Sequence, residues 1–423
     1  MTERLLQFIW QFQYFNRQQL FTVNGELLQI IFAGEWNTNQ GPDFKQARIK
    51  INETLWAGEV ELHINASDWH KHRHTNDAHY NKVILHVVWQ NDEAITDVQG
   101  NIIPTLELQN RVSNLLLNRY QNWMNQNNTI PCNADIATVS AITWQSWKER
   151  LLVERLEQKA SHVGQLLLQT NNNWEEVFWR LLCRYFGAGA NSEAFEQLAT
   201  SLPVSILAKH KNQLQQIEAL LLGQAGLLGK KFTTHYPLLL QKEYDFLSKK
   251  YQLKPIAKAP VFLRMRPVNF PTVRLAQLAM LVHQSVHLFS KIKEANDVKT
   301  ITGLLAVTAN DFWNDHFQLD ELSEHQPKKL GSQMINTLLI NAAVPVLFAF
   351  GKYAAEPRYA DKAIQWLEEI SAEKNAIVKL FAQLQVEQKS AFDSQALLQL
   401  KQHYCDKKRC LECAVGNAVL KRW

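Results

Sequence analysis

The spacing of hydrophobic positions changes twice along the chain, and each change marks a boundary between structural elements. Leu5, Leu6, Phe8, Ile9, Phe12 and Phe15 recur near the 3.6-residue period behind Thr2, which predicts a helix over residues 2–15. Asn24-Gly25 is a turn signal that opens an apolar run at 27–32, a buried strand. After a loop at 34–42, polar and apolar residues alternate through 44–51, and a third strand spans 55–64. Successive strand side chains point to opposite faces, so Trp56, Gly58, Val60, Leu62 and Ile64 share one face while Glu59, Glu61 and His63 share the other. Residues 67–81 are polar and histidine-rich and fit a short helix capped by Ser67 or Asp68. Apolar strands at 83–89 and 104–108 complete this part.

From about Asn110 onward the period is helical. Residues 115–123, 144–168, 174–186, 213–222, 273–290, 334–353, 360–384 and 394–404 all carry it, with polar, Gly or Pro-rich linkers at 126–135, 187–192, 257–271 and 325–331. The expected architecture is therefore an α/β (α+β) N-terminal domain over residues 1–110 and a large all-α domain over 111–423. No fixed-period repeat is present, which argues against a solenoid. The longest uncharged apolar run, at 338–350, is broken by Asn341 and Pro345 and is shorter than the roughly 20 residues of a membrane span. Together with an N-terminus, Met1-Thr2-Glu3-Arg4, that lacks the features of a secretory signal, this predicts a cytoplasmic protein without a membrane partner. Five cysteines in 423 residues then imply reduced thiols rather than a disulfide framework.

The net charge of +5 conceals an uneven distribution. Residues 1–110 hold 8 Lys+Arg and 13 Asp+Glu, a net of −5, and the remainder holds 37 and 27, a net of +10. Such asymmetry is expected of a protein with one nucleic-acid-binding half, and also arises between two unrelated domains.

The candidate chemistry begins at Gly41-Pro42-Asp43-Phe44, followed 18 positions after Asp43 by Glu61-Leu62-His63. An acid at the start of one strand and another within the next hairpin strand can converge on one divalent ion. Mg²⁺ or Mn²⁺ held by Asp43 and Glu61 would activate water and stabilise charge on a scissile phosphate. The alternative is two solvated acids on the open face of a sheet. Around them lie six of the 14 histidines: His63, His70, His72, His74, His79 and His86. On a helix, His70 and His74 are one turn apart with Asp77 beyond, and in an extended segment His70, His72 and His74 share a face. Either way they, with Glu59, are candidates for a second metal or for phosphate contacts. His86, inside an apolar strand, reads as a hydrogen-bonded core residue.

A second constellation is Cys405-x4-Cys410-x2-Cys413, with Cys132 far upstream. Three thiols within nine residues of a reducing compartment suit Zn²⁺ or an iron–sulfur cluster, with Cys132 or His403 as a fourth ligand. Lys407, Lys408 and Arg409 between these cysteines, and Arg264, Arg266 and Arg274 around Pro267–Pro271, are candidate phosphate contacts, with Phe270 placed to stack on a base.

The Pro42-Asp43 pair and Glu61-x-His63, in the element order helix, three-stranded meander, helix, strand, resemble the PD-(D/E)XK nuclease superfamily, with His63 standing where that superfamily usually has lysine. The resemblance implies metal-dependent cleavage of nucleic acid, DNA above all, with Asp43, Glu61 and His63 as the catalytic set. Some nucleases of that superfamily also carry an iron–sulfur staple of one upstream and three C-terminal cysteines. If the missing lysine has abolished catalysis, the implied function is nucleic-acid binding or scaffolding, and a third reading is a His/acid metal hydrolase of a small phosphoester. The whole chain is also similar to a bacterial family catalogued as a domain of unknown function. That similarity is carried by Asn37, Gly41–Phe44, Gly58–His63, Ser67-Asp68-Trp69, His72-Arg73-His74, Asp77, Tyr80-Asn81, Leu85–Val88, Arg266–Pro271 and the Cys-rich terminus.

Overall fold

The computed structural model describes residues 1–285 and 287–422. It forms two compact units, one made of residues 1–147 with the described residues from 400 onward, the other of residues 148–399. An α+β part is followed by a helical one, but the units divide after Trp147 rather than near residue 110, and the cysteine-rich tail belongs to the first.

The first unit opens with α1 (Glu3–Gln11), whose Thr2 cap accepts a hydrogen bond from the Leu5 amide at 3.3 Å. The helix is shorter than the apolar pattern predicts because Gln13 adopts φ 55° and turns the chain, so that Phe15 stacks on Trp10 instead of extending the helical face. Six strands follow: β1 (Leu28–Phe32), β2 (Glu35–Trp36), β3 (Phe44–Ile51), β4 (Thr54–Asn65), β5 (Val83–Gln90) and β6 (Thr105–Glu107). They form one mixed sheet in the order β1-β3-β4-β5-β6, with β2 on β3. The pairs β1/β3 and β3/β4 are antiparallel, whereas β4/β5 and β5/β6 are parallel. A parallel pair needs a crossover. Between β4 and β5 it consists of α2 (Asp68–Lys71) and the helical turns His74–Asn76 and Ala78–Tyr80. Trp69 of α2 anchors it in a buried cluster with Ala66, Val88, Ile95 and Ile103. Gly58 is required where β5 joins β4, since a Cβ there would lie 2.4 Å from Ile84 and 2.5 Å from the Lys82 carbonyl oxygen.

One irregularity in the β3/β4 ladder decides which way the acids face. Ala47 pairs with Gly58, but Phe44 pairs with Val60, so one extra residue has entered β3 between them, where Gln46 takes φ 59°. The bulge puts Asp43 across from Glu61 with both side chains on the same face. Continued without it, the Ala47 register would set Phe44 opposite Glu61 and turn Asp43 to the other face, because a one-residue slip inverts every side chain.

After β6 come α3 (Asn114–Asn125) and α4 (Ala141–Gln169). The tail returns to the first unit through the helix Ala414–Leu420, where Asn417 accepts a hydrogen bond from Tyr14 and the Val419 carbonyl accepts one from Arg119. The second unit is helical, with one small hairpin, His316–Gln318 with Glu321–Leu322, that the sequence pattern does not predict. Its apolar helix is longer than the run at 338–350 implies. Residues 332–353 form 22 continuous helical residues, enough by length and composition to cross a membrane, yet 83% of the apolar window is buried within the protein.

The bulge predicts a specific stability pattern. Gln46→Val should cost about 1–2 kcal/mol in urea unfolding, since a β-branched residue is poorly suited to positive φ, whereas Gln46→Gly should be close to neutral. Equal effects of the two substitutions would show that the strand does not depend on this conformation.

Candidate active site

Asp43 and Glu61 are interlocked through the backbone. The Asp43 amide donates to Glu61 Oε2 at 3.0 Å, and the Leu62 amide donates to Asp43 Oδ2 at 3.2 Å. From α1, Gln7 donates to Asp43 Oδ1 at 2.7 Å. Glu61 is 6% exposed, so this is not the open, solvated sheet face of the alternative reading. Burial, reinforced by the Glu61 charge, raises the Asp43 pKa to about 7. Burial likewise raises Glu61 to about 8, with Glu3 and Glu59 adding repulsion. Among the described residues, no lysine or arginine is paired with either acid.

Imidazoles crowd the other side of Glu61. His63 Nε2 lies 3.6 Å and His74 Nε2 3.4 Å from Glu61 Oε1. His63 Nε2 is 3.1 Å from His72 Nδ1, and His63 Nδ1 is 2.8 Å from His86 Nε2. Burial and the neighbouring imidazoles hold His63 and His86 well below the usual histidine range, so both rings are neutral. Tyr80 stacks on His74 with ring centroids 3.7 Å apart, and Trp69 meets His63, His74 and His86 edge-on.

The remaining candidates separate. His70 is half exposed and faces Glu93 at 3.9 Å, outside the cluster. It does not share a helical face with His74 because α2 ends at Lys71 and Arg73 turns left-handed at φ 61°. Asp77 caps the turn Ala78–Tyr80 and bonds the His79 ring, while Glu59 acts on Glu61 only through its charge. His86 is buried as expected but also bonds a site histidine. The parallel pairing of β4 and β5 sets it opposite Glu61, a relation invisible before the strand order is known. Gln7 and Tyr80 had no chemical signal in the sequence.

Cys132, Cys410 and Cys413 are buried, and all five cysteines are free. Burial, and then the neighbouring thiols, raise the pKa values of Cys132, Cys405 and Cys410, the last to about 12, and burial raises Cys413 to about 11. Cys410 and Cys413 act through their charges on Cys132, and Cys132 on Cys405, all within the unit that joins residues 1–147 to the tail. Burial is what opposes ionisation of these four thiols, and thiolates are the donor type that Zn²⁺ and iron–sulfur clusters take.

Of the basic candidates, Arg264, Arg266 and Lys407 are exposed. Arg274 is a correction. It is 8% exposed and donates to Asn269 and Gln277, so it organises the interior rather than a ligand surface. Lys408 is spent on the Met124 carbonyl and Arg409 on Glu412, which fastens the tail.

The buried acids predict a pH effect. An acid whose folded pKa is raised binds more protons in the native state than when unfolded, so its contribution to stability falls as pH rises between the two values. The advantage in unfolding free energy of metal-free Asp43→Asn/Glu61→Gln over wild type should therefore grow from about pH 5 to about pH 8, by on the order of 2 kcal/mol. A constant difference across that window would mean that the acids are not buried together as charges.

No curated protein and no solved structure matches the chain. Residues 3–376 match the family described as "Protein of unknown function (DUF2851)", and with nearly its whole length covered the chain belongs to that family.

Proposed function

We propose that this protein is a divalent-metal-dependent phosphodiesterase acting on nucleic acid, with Asp43 and Glu61 as the acids that hold Mg²⁺ or Mn²⁺. The observation that carries the reading is the interlocked, unneutralised carboxylate pair. Two buried acids with no cationic partner are stable as charges only if a cation joins them, and their remaining oxygen lone pairs are hard donors suited to Mg²⁺ or Mn²⁺. When bound, such an ion supplies Lewis acidity toward a phosphoryl oxygen and lowers the pKa of a water. The order of elements, helix, antiparallel meander, crossover and parallel strand, supports the likeness to the PD-(D/E)XK core.

The histidine at 63 changes the role that a lysine would have. Held neutral, it supplies a lone pair instead of a fixed positive charge, so it serves as a ligand or hydrogen-bond acceptor beside Glu61. Gln7 and the Leu62 amide orient the Asp43 carboxylate, while Trp69 and Tyr80 close the inner side against water. Substrate phosphates would meet the exposed cations of the chain beyond residue 110, where the net charge is +10.

Purified full-length protein with Mg²⁺ or Mn²⁺ should cleave labelled single- or double-stranded DNA, and Asp43→Ala should reduce the rate at least about 100-fold. Salt-sensitive DNA binding without cleavage would instead indicate a binding protein, and turnover of small phosphoesters alone a hydrolase of the third kind.

The four thiols complete the proposal as a structural site for Zn²⁺ or an iron–sulfur cluster, joining Cys132 to Cys405, Cys410 and Cys413. The protein as purified should contain zinc, or be brown and contain iron and sulfide. Cys410→Ser should lose that metal and lower the thermal midpoint. Metal-free wild-type protein of unchanged stability would overturn this assignment.

A further inference from the structure

We infer that His63, His72 and His74 form a second metal site, for a borderline ion such as Zn²⁺, that adjoins the Asp43–Glu61 pair and shares Glu61 with it. This deepens the proposed activity and rests on it only for the use to which the second ion is put. The three ligand nitrogens lie within 4.8 Å of one another, with His63 and His74 buried and His72 exposed. Two ligands bound at about 2.0–2.1 Å to a tetrahedral ion are about 3.3 Å apart. The separations His63 Nε2 to His72 Nδ1, 3.1 Å, His74 Nε2 to Glu61 Oε1, 3.4 Å, and His63 Nε2 to Glu61 Oε1, 3.6 Å, bracket that value.

Hydrogen bonding alone accounts for only part of this arrangement. A neutral imidazole has one N–H. If His86 donates to His63 and His63 donates to His72, both short contacts are satisfied, but His74 Nε2, buried beside Glu61, is left without a partner. In the reverse order His63 donates from Nδ1 to His86 Nε2, which places the His86 proton on its buried, unpartnered Nδ1 and leaves His63 Nε2 with a lone pair beside His72 Nδ1. Three nitrogens within 4.8 Å of one another can then each offer a lone pair, and the second ring nitrogen of His63 is oriented by a hydrogen bond, as is usual for metal-bound histidine. Tyr80 and Trp69 hold the buried rings in place, and exposed His72 leaves the site open to water or substrate on one side.

Imidazole nitrogens favour Zn²⁺ over Mg²⁺, and the carboxylate pair has the opposite preference. The two subsites therefore differ in ligand chemistry and meet at Glu61, whose Oε2 faces Asp43 while Oε1 faces the histidines. That is the layout of a two-ion centre in which one carboxylate is common to both.

The test counts ions. Zn²⁺ bound to full-length wild type, His72→Ala, His70→Ala and Cys410→Ser is measured by elemental analysis after equilibrium dialysis, with affinity from calorimetry. His72→Ala should lose one equivalent, or bind it at least about 100-fold more weakly, while retaining the thiol-bound metal. His70→Ala should match wild type, and Cys410→Ser should keep the histidine-bound ion. The exposed position of His72 makes misfolding of its variant improbable, and His72→Gln provides a second substitution of similar size. If both His72 variants bind as many Zn²⁺ ions as wild type, within about threefold in affinity, the site does not exist. Mg²⁺-supported cleavage that survives His72→Ala alongside that result would leave the proposed function standing and remove only this inference. Histidine-dependent Zn²⁺ binding without any cleavage would do the reverse.

Discussion

The arrangement of the first unit depends on burying two carboxylates against each other with no basic side chain to neutralise them. Isolated buried charges are costly, and two of like sign are costlier. Everything around Asp43 and Glu61 bears on that cost. Backbone amides of Asp43 and Leu62 and the side chain of Gln7 supply donors, and buried His63 and His86 stay neutral instead of contributing positive charge. Such a site is poorly stabilised by the protein alone, which is the state expected of a preorganised receptor for cations.

The sheet builds this cluster from three separate devices. The β3 bulge turns Asp43 to the face of Glu61, the β4/β5 parallel pairing brings His86 alongside, and the left-handed turn at Arg73 ends α2 so that His74 folds inward while His70 stays outside. Each is a backbone feature, so the side chains are held by elements fixed in the sheet or anchored to it through Trp69. The tail adds a fourth feature: it returns to the first unit with three cysteines, nearly three hundred residues beyond Cys132 in the chain.

The second unit has a different kind of polar interior, in which the charges are satisfied by specific partners. Glu218, fully buried, accepts from Tyr236, Asn310 and Trp313, and Lys159 donates to Asn341 and Gln395. The contrast gives the acid pair its meaning. Glu218 is held by three side-chain donors of its own, whereas Asp43 and Glu61 lie against each other and receive mainly backbone amides and Gln7.

The sequence by itself determined the elements and much of the cast of the site. Alternation marked β3 and β4 because each strand has faces of different polarity, and helical spacing marked most of the second unit because each helix buries one stripe. Asp43, Glu61 and His63 were legible from residue type and spacing, as was the cysteine set. What only the tertiary structure decided was which of the neighbours join them. His70, His72 and His74 are equivalent as letters, and the end of α2 at Lys71 with the left-handed turn at Arg73 leaves His72 and His74 near His63 and His70 outside. Gln7 and His86 came to the site through packing between segments distant in sequence, Tyr80 came by stacking on His74, and Arg274 left the list of ligand contacts because burial and its local partners Asn269 and Gln277 hold it inside. Local periodicity reports which way a side chain faces within its own element. It carries no information about the strand order, bulges and crossings that set one element's face against another's.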